Sequence, residues 1–155
     1  MQDTFPTEKR TGGVLRLFMV GVLTIATTLG VNLVIRTVAY AIFPLSPIFL
    51  PLPIGSISVL TVVLVAGAVL VYAGVTRFSQ RPARTYTLIA LIALLLSLIP
   101  NALLLLHPDA RMLPGVTRLA TSILMVLHLI DAVLALVLLT RLAPSKGRAA
   151  KEDML

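Results

Sequence analysis

The chain has 155 residues, of which 58% are hydrophobic and 12% charged, and it carries a formal net charge of +7. Soluble domains have about 45–50% apolar and about 25% charged residues, so this composition excludes a soluble enzyme, a disordered chain and a secreted disulfide scaffold. No Cys is present, which excludes disulfides, thiolate catalysis, Cys-ligated zinc and iron–sulfur clusters. The basic residues lie at the ends of apolar segments, a pattern typical of a membrane surface rather than of nucleic-acid binding.

Four apolar segments are long enough to cross a bilayer, whose core of about 30 Å needs about 20 helical residues. In chain order they cover residues 17–43, 57–75, 86–106 and 119–140. Pro and Gly residues, which interrupt helices, lie between them. The segments lack the polar face that a helix of a soluble protein needs. We therefore predict an all-α, integral membrane four-helix bundle over residues 17–142, with a cytoplasmic tail at 1–16 and a disordered cytoplasmic tail at 143–155.

The first segment also has features of a cleaved signal peptide. Basic residues precede it, and residues 39–41 (AYA) resemble a small-x-small cleavage site. The apolar stretch is nevertheless longer than the roughly 7–15 residues of a signal-peptide core, and Arg36 interrupts its end. We therefore expect the first helix to be retained.

The distribution of basic residues predicts the orientation of the bundle. Ten Lys and Arg residues fall on one side of the predicted membrane, namely Lys9, Arg10, Arg16, Arg77, Arg81, Arg84, Arg141, Lys146, Arg148 and Lys151. The other side has Arg111 and Arg118. The positive-inside rule places both termini in the cytoplasm, and an even number of spans agrees with this orientation.

The connection between the first two segments is apolar, uncharged and rich in Pro (residues 44–53, PLSPIFLPLP). Its backbone cannot lie exposed in hydrocarbon, where nothing satisfies its polar groups. The interpretation that we favour is a stiff segment in the headgroup region. The alternative is a re-entrant cap over a pocket between the helices.

Polar side chains inside the predicted spans indicate a candidate site, since such residues are costly in lipid and commonly functional. In the first segment, polar residues recur at every fourth position from Thr24 to Tyr40, so successive members are neighbours on the helix surface. His128 and Asp131 in the fourth segment are three residues apart and share a face. We predict an intramembrane polar cluster of Asn32, Arg36, Ser97, Asn101, His128 and Asp131.

Each member of this cluster also has a purely structural interpretation. Arg36 can extend its head to the interface with its stem in lipid, and the amide and hydroxyl groups can link neighbouring helices. His128 and Asp131 can satisfy each other or backbone carbonyls. Two charged residues in one small bundle favour a coupled pair of Arg36 and Asp131, joined directly or through His128 or water.

No sequence motif of catalysis, cofactor binding or metal binding is present. The dinucleotide-binding glycine fingerprint, the phosphate loop, the HExxH zinc motif and the serine nucleophile elbow are all missing. With two His residues, one between segments and one within a span, the chain offers no pair for a bis-His haem. We therefore expect no enzyme activity, no metal and no cofactor.

Four short motifs resemble those of a bacterial family of four-span integral membrane proteins of unknown function. They are residues 32–36 (NLVIR), 52–55 (LPIG), 81–84 (RPAR) and 125–129 (MVLHL). The resemblance covers about residues 17–142 and implies a four-span fold in the bacterial cytoplasmic membrane. It implies no activity and no functional residue.

Three functions are compatible with these features. The first is a non-enzymatic accessory or interaction subunit that contacts the lipid bilayer and a membrane protein partner or further copies of itself. The second is a small-solute or proton-coupled carrier that acts as an oligomer and uses Asp131. The third is a lipid or quinone site between the helices. Nucleic acid is not an expected partner.

Overall fold

A computed structural model describes residues 8–107 and 114–143, with side chains from residue 12 onward. Its four helices are α1 (Glu8–Ile42), α2 (Ile54–Phe78), α3 (Pro82–Leu106) and α4 (Arg118–Leu142). The prediction of an all-α fold with four helices is confirmed, and each helix is long and apolar enough to cross a membrane. Arg111 and the predicted tail from residue 144 onward lie outside the described residues.

The helices extend beyond the apolar segments that predicted them. α1 begins at Glu8, within the segment assigned to the N-terminal tail. Pro82 starts α3 at a position where a missing N–H costs nothing, and the Thr117 hydroxyl accepts a hydrogen bond of 3.1 Å from the Ala120 amide and caps α4. Turn and capping residues thus set the helix ends, whereas hydropathy located only their middles.

The bundle is antiparallel, and α1 and α3 lie diagonally opposite each other. α1 packs against α2 and α4, and α3 packs closely against α4. The contact between α2 and α3 is less extensive, although they are joined by a short turn at residues 79–81. The α2–α3 side is therefore the more open of the two sides of α3.

The two ends of the bundle differ in chemistry. One end, here called the arginine end, carries Arg16, Arg77, Arg81, Arg84 and Arg141. The opposite end is here called the capped end, because residues 44–53 and 114–117 cover it. Each end has its own buried apolar cluster, one around Phe49, Leu52 and Leu127 and the other around Tyr72, Tyr86 and Leu139.

The connection at residues 44–53 packs into the capped end. Phe49 and Leu52 are 0% exposed and join a cluster with α1, α2 and α4. Its backbone is partly satisfied by protein, since Arg36 Nε donates to the Leu52 carbonyl at 2.8 Å and the Leu52 amide donates to the Phe49 carbonyl at 3.0 Å. The connection therefore packs against the ends of α1, α2 and α4, and its depth relative to the headgroups stays a prediction. The apolar side chains explain this packing, since they gain by lying between helix ends.

The outer surface of the bundle is strongly apolar. α2, α3 and α4 each have a mean hydropathy of 2.6 in their most apolar window, and α1 has 2.1. Large apolar side chains such as Leu70, Leu95 and Val133 are exposed along the helices. A soluble monomer does not expose a continuous apolar surface of this extent, so this surface suits lipid.

Substitution of Gly115 tests the packing of the capped end. Gly115 has φ +73°, and a Cβ there would lie 2.7 Å from Ser46 Oγ and 3.0 Å from the Phe49 amide nitrogen. Gly115→Ala is expected to lower the free energy of unfolding in detergent by about 1–2 kcal/mol, the cost of left-handed backbone alone. Gly55→Ala is the control, because Gly55 lies in α2 with open space around it, and there Ala is expected to stabilise slightly. Equal stability of the two variants would contradict the packing described here.

Candidate functional site

A band of polar side chains separates the two apolar clusters, and we call it the polar layer (Asn32, Thr61, Ser97, His128 and Asp131). Asn32 Nδ2 donates to Thr61 Oγ1 at 2.9 Å and so links α1 to α2. These two side chains are 1% and 3% exposed. A hydrogen bond buried this deeply in an apolar bundle fixes the relative position of the two helices, because neither group has water as an alternative partner.

Asp131 approaches Asn32 from α4. Its carboxylate interacts with the Asn32 side chain and with His128, one turn earlier on the same helix. Nevertheless, Asp131 Oδ1 and Asn32 Oδ1 are buried and have no hydrogen-bond partner among the described residues. Buried polar atoms are nearly always paired, so two acceptor oxygens without donors in one layer form an unusual arrangement. This part of the bundle has a surplus of acceptors.

His128 lies beside Asp131, and one of its ring nitrogens forms a hydrogen bond within α4. Nδ1 is 2.8 Å from the Leu124 carbonyl oxygen. A carbonyl can only accept, so Nδ1 carries the proton in this contact. In the neutral imidazole, Nε2 is then a hydrogen-bond acceptor.

The α3 residues of the candidate cluster lie next to a proline. Pro100 has no N–H and leaves the Leu96 carbonyl without its usual helical donor. Ser97 Oγ donates to the Leu94 carbonyl at 2.8 Å, and Asn101 Nδ2 donates to the Ser97 carbonyl at 3.1 Å. Asn101 is buried one turn from Ser97 toward the capped end. Both side chains therefore use their donors on the backbone of α3.

Arg36 belongs to the capped end rather than to the polar layer. Its Nε binds the Leu52 carbonyl, and its guanidinium lies 4.5 Å from the centroid of the Tyr40 ring. Within residues 12–107 and 114–143 no salt bridge joins it to Asp131; Oδ1 of that carboxylate is unpaired. Arg36 thus has two structural contacts within the protein, one with the face of the Tyr40 ring and one with the Leu52 carbonyl. The coupled pair hypothesised from sequence is thus not formed directly.

An apolar cavity opens beside the polar layer, between α2, α3 and α4. Its volume is about 290 Å³. Each of the three helices contributes small residues to its wall, which make room for the space: Gly67 and Ala68 of α2, Ala90 and Ala93 of α3, and Ala132 and Ala135 of α4. Three polar-layer residues also line it: Ser97, His128 and Asp131.

The structure thus brings together Asn32, Ser97, His128 and Asp131, with Asn101 adjacent, and leaves Arg36 apart. Two further residues of the site, Thr61 and Gly67, lie outside the predicted cluster. Thr61 is one of several hydroxyls in the second apolar segment, and the sequence does not show which of them meets Asn32. Gly67 did stand out as a glycine within an apolar helix, but only the packing of three helices shows that it borders a cavity.

In the part of the chain that the structure describes, no three His, Cys, Asp or Glu residues are grouped closely enough to hold a metal ion. The polar groups of the cavity wall offer hydrogen bonding by Ser97 and His128, and a carboxylate at Asp131.

Replacement of Arg36 tests its structural role. Arg36→Met keeps the length of the side chain but removes the hydrogen bond to the Leu52 carbonyl and the contact with Tyr40. We expect the free energy of unfolding in detergent to fall by about 1.5–3 kcal/mol, typical for hydrogen bonds to charged groups. Arg118→Met, at an exposed position of the same end, is expected to change it by less than about 0.5 kcal/mol. A stability loss no larger than that of the control would refute the role.

No protein-family model, curated protein or solved structure matches this chain. The resemblance to a bacterial four-span family therefore stays a prediction. A proposal of function therefore rests on two properties of the site, the small-residue cavity and the acceptor groups on its wall.

Proposed function

We propose that this protein is a non-enzymatic, four-span membrane protein that binds a small lipophilic molecule between α2, α3 and α4. The apolar part of the ligand would occupy the cavity, and its polar group would contact His128 and Asp131. The proposal rests on one observation, the cavity of about 290 Å³ that has a carboxylate and an imidazole on an otherwise apolar wall. Apolar pockets with a few convergent polar groups are the usual form of small-molecule sites.

The size of the cavity limits the ligand. Small-molecule sites commonly have volumes of about 300–1,000 Å³, and this cavity lies at the lower limit of that range. It suits a compact molecule or one chain of a larger amphiphile. A full two-chain phospholipid would have to leave most of its body in the bilayer.

Entry from the bilayer is supported by the packing of the helices. α2 and α3 make the less extensive contact, and the cavity lies along them. Leu64, Val71 and Ile89 line the cavity and are also exposed on the surface. A lipophilic molecule dissolved in the membrane would therefore reach the site laterally without crossing water.

We further propose that the protein resides in a bacterial cytoplasmic membrane with the arginine end and both termini in the cytoplasm. The support for the orientation is the excess of basic residues at that end. The support for the bacterial membrane is the motif resemblance alone. The accessory-subunit and carrier hypotheses stay predictions, and co-purification of a partner or flux in proteoliposomes would test them.

Filling the cavity tests ligand binding. The probe is a lipophilic alkyl diazirine in phosphatidylcholine vesicles, with photolabelled positions mapped by mass spectrometry. In the parent protein we expect labels on the cavity wall around Ala93 and Ala132. Gly67→Leu places a side chain in open space that borders the cavity, and we expect it to reduce this labelling by at least about fivefold, the effect of losing 1 kcal/mol or more of binding.

Gly74→Leu is the matched control for this experiment. Gly74 lies on the same helix, also with open space around it, but it does not line the cavity. Its substitution is expected to leave the labelling pattern unchanged. Uniform labelling of all exposed faces in the parent, with no enrichment at the cavity wall, would rule out the proposed site.

Single cysteines test the orientation. The chain has no Cys, so Gln80→Cys at the arginine end and Arg118→Cys at the capped end each supply one thiol at an exposed position. In intact cells a membrane-impermeant maleimide is expected to label the Arg118 variant and to label the Gln80 variant only after permeabilisation. The reverse pattern would invert the proposed topology, and both variants' labelling after lysis confirms that the thiols are accessible.

A further inference from the structure

The wall of the cavity presents acceptors of hydrogen bonds at mid-depth. The carboxylate of Asp131 only accepts when ionised. His128 uses Nδ1 on the Leu124 carbonyl, so its Nε2 is an acceptor in the neutral ring. Ser97 donates its hydroxyl proton to the Leu94 carbonyl, and its oxygen keeps lone pairs that can accept a hydrogen bond. Three polar groups around one cavity thus lack a free donor.

The remaining hydroxyl on the wall lies away from these groups. Tyr86 also lines the cavity, but it belongs to the arginine-end cluster, where its ring meets Tyr72 edge-on with centroids 5.1 Å apart. Along α3 it is about 16 Å from Ser97, at 1.5 Å per residue. It is therefore too distant to serve as the donor for Asp131 in the same contact.

The described structure gives Asp131 no Lys or Arg partner. It is the one acidic residue within the four spans, and Arg36 is engaged at the capped end. Asn32, the nearby group on α1, donates one amide proton to Thr61 and also interacts with the Asp131 carboxylate, but it carries no positive charge. A carboxylate with unsatisfied Oδ1 in an apolar setting favours a cation.

We infer that the ligand of this cavity is a lipophilic amine, bound as its ammonium ion with the positive head on Asp131 and His128 Nε2 and the apolar body against Gly67, Ala93 and Ala132. An ammonium supplies donors and no acceptor, which complements a wall of acceptors. Because the apolar body already lies in lipid, it would be stabilised by van der Waals contacts with the cavity wall. A quinone, which offers carbonyl acceptors, fits this wall poorly.

This inference rests on the proposed function and narrows it. Its test uses two matched alkyl probes, each with a diazirine on the carbon next to the head group. One probe ends in a primary amine and the other in an alcohol. Because the diazirine adjoins the head, labelled positions report the depth that the head reaches. Neutral phosphatidylcholine vesicles keep surface charge from concentrating the amine.

In the parent protein we expect the amine probe to label mid-depth wall residues at least about tenfold more than the alcohol probe, the effect of one hydrogen bond to a charged group. Without a counter-charge the ammonium would stay at the interface and label helix ends. Asp131→Asn keeps the size of the side chain and removes its charge, so it should abolish the difference between the probes. Gly74→Leu should preserve it.

The outcomes separate the two proposals. Equal mid-depth labelling by both probes, or a preference for the alcohol, would overturn the amine inference and leave the proposed function standing. Labelling of the cavity by neither probe would overturn both. An amine preference that survives Asp131→Asn would also overturn the inference, since His128 or another group would then hold the head. If Asp131→Asn does not fold, the comparison of the probes on the parent protein and on Gly67→Leu still decides, because neither depends on that variant.

Discussion

Hydrocarbon offers no hydrogen bonds, and this constraint accounts for most of the polar side-chain contacts within the bundle. Most of them return to their own helix: Thr24, Thr37 and Thr140 each donate to the carbonyl four residues earlier. Such bonds satisfy the hydroxyl but hold no helices together. The Asn32–Thr61 bond is different, because it crosses between α1 and α2 at the level where the two apolar clusters meet.

The same constraint explains the capped end. An apolar connection of about ten residues cannot place its backbone in lipid, and its side chains gain nothing from water. Burial of Phe49 and Leu52 between the helix ends satisfies the side chains, and Arg36 satisfies one of the exposed carbonyls. Gly115 completes the arrangement, since only a residue without Cβ lets the connection between α3 and α4 approach Ser46 and Phe49 this closely. A single arginine within a span is thus used to fold a loop.

The sequence was sufficient for the helices and insufficient for their mutual packing. Apolar runs longer than a bilayer core predict four helices because hydropathy is a local property. The i+4 series on α1 also has a clear structural counterpart, since Thr24, Thr28 and Asn32 are buried. Its next member, Arg36, diverges because the series drifts around the helix and because its side chain is long enough to reach the loop.

Packing between helices decided the parts that the sequence could not supply. Thr61 became the partner of Asn32 only through the register of α1 against α2. The cavity needs small residues from three separate helices at one level, and Gly and Ala are common throughout apolar helices. No local pattern distinguishes those that meet at a cavity from those that face lipid.

The cavity has a different energetic meaning in a membrane than in water. In a soluble core an unfilled space costs stability, because its lining loses contacts that surrounding atoms would otherwise supply. In a membrane, a space that opens onto lipid along α2 and α3 can be filled by an apolar molecule. Filling restores the lost contacts of the lining, so the space lowers stability less than it would in a soluble core. An acyl chain satisfies the alanines and Gly67 but not Asp131. Under the proposed function, the carboxylate would make this crevice selective, because lipid chains carry no group that pairs with it.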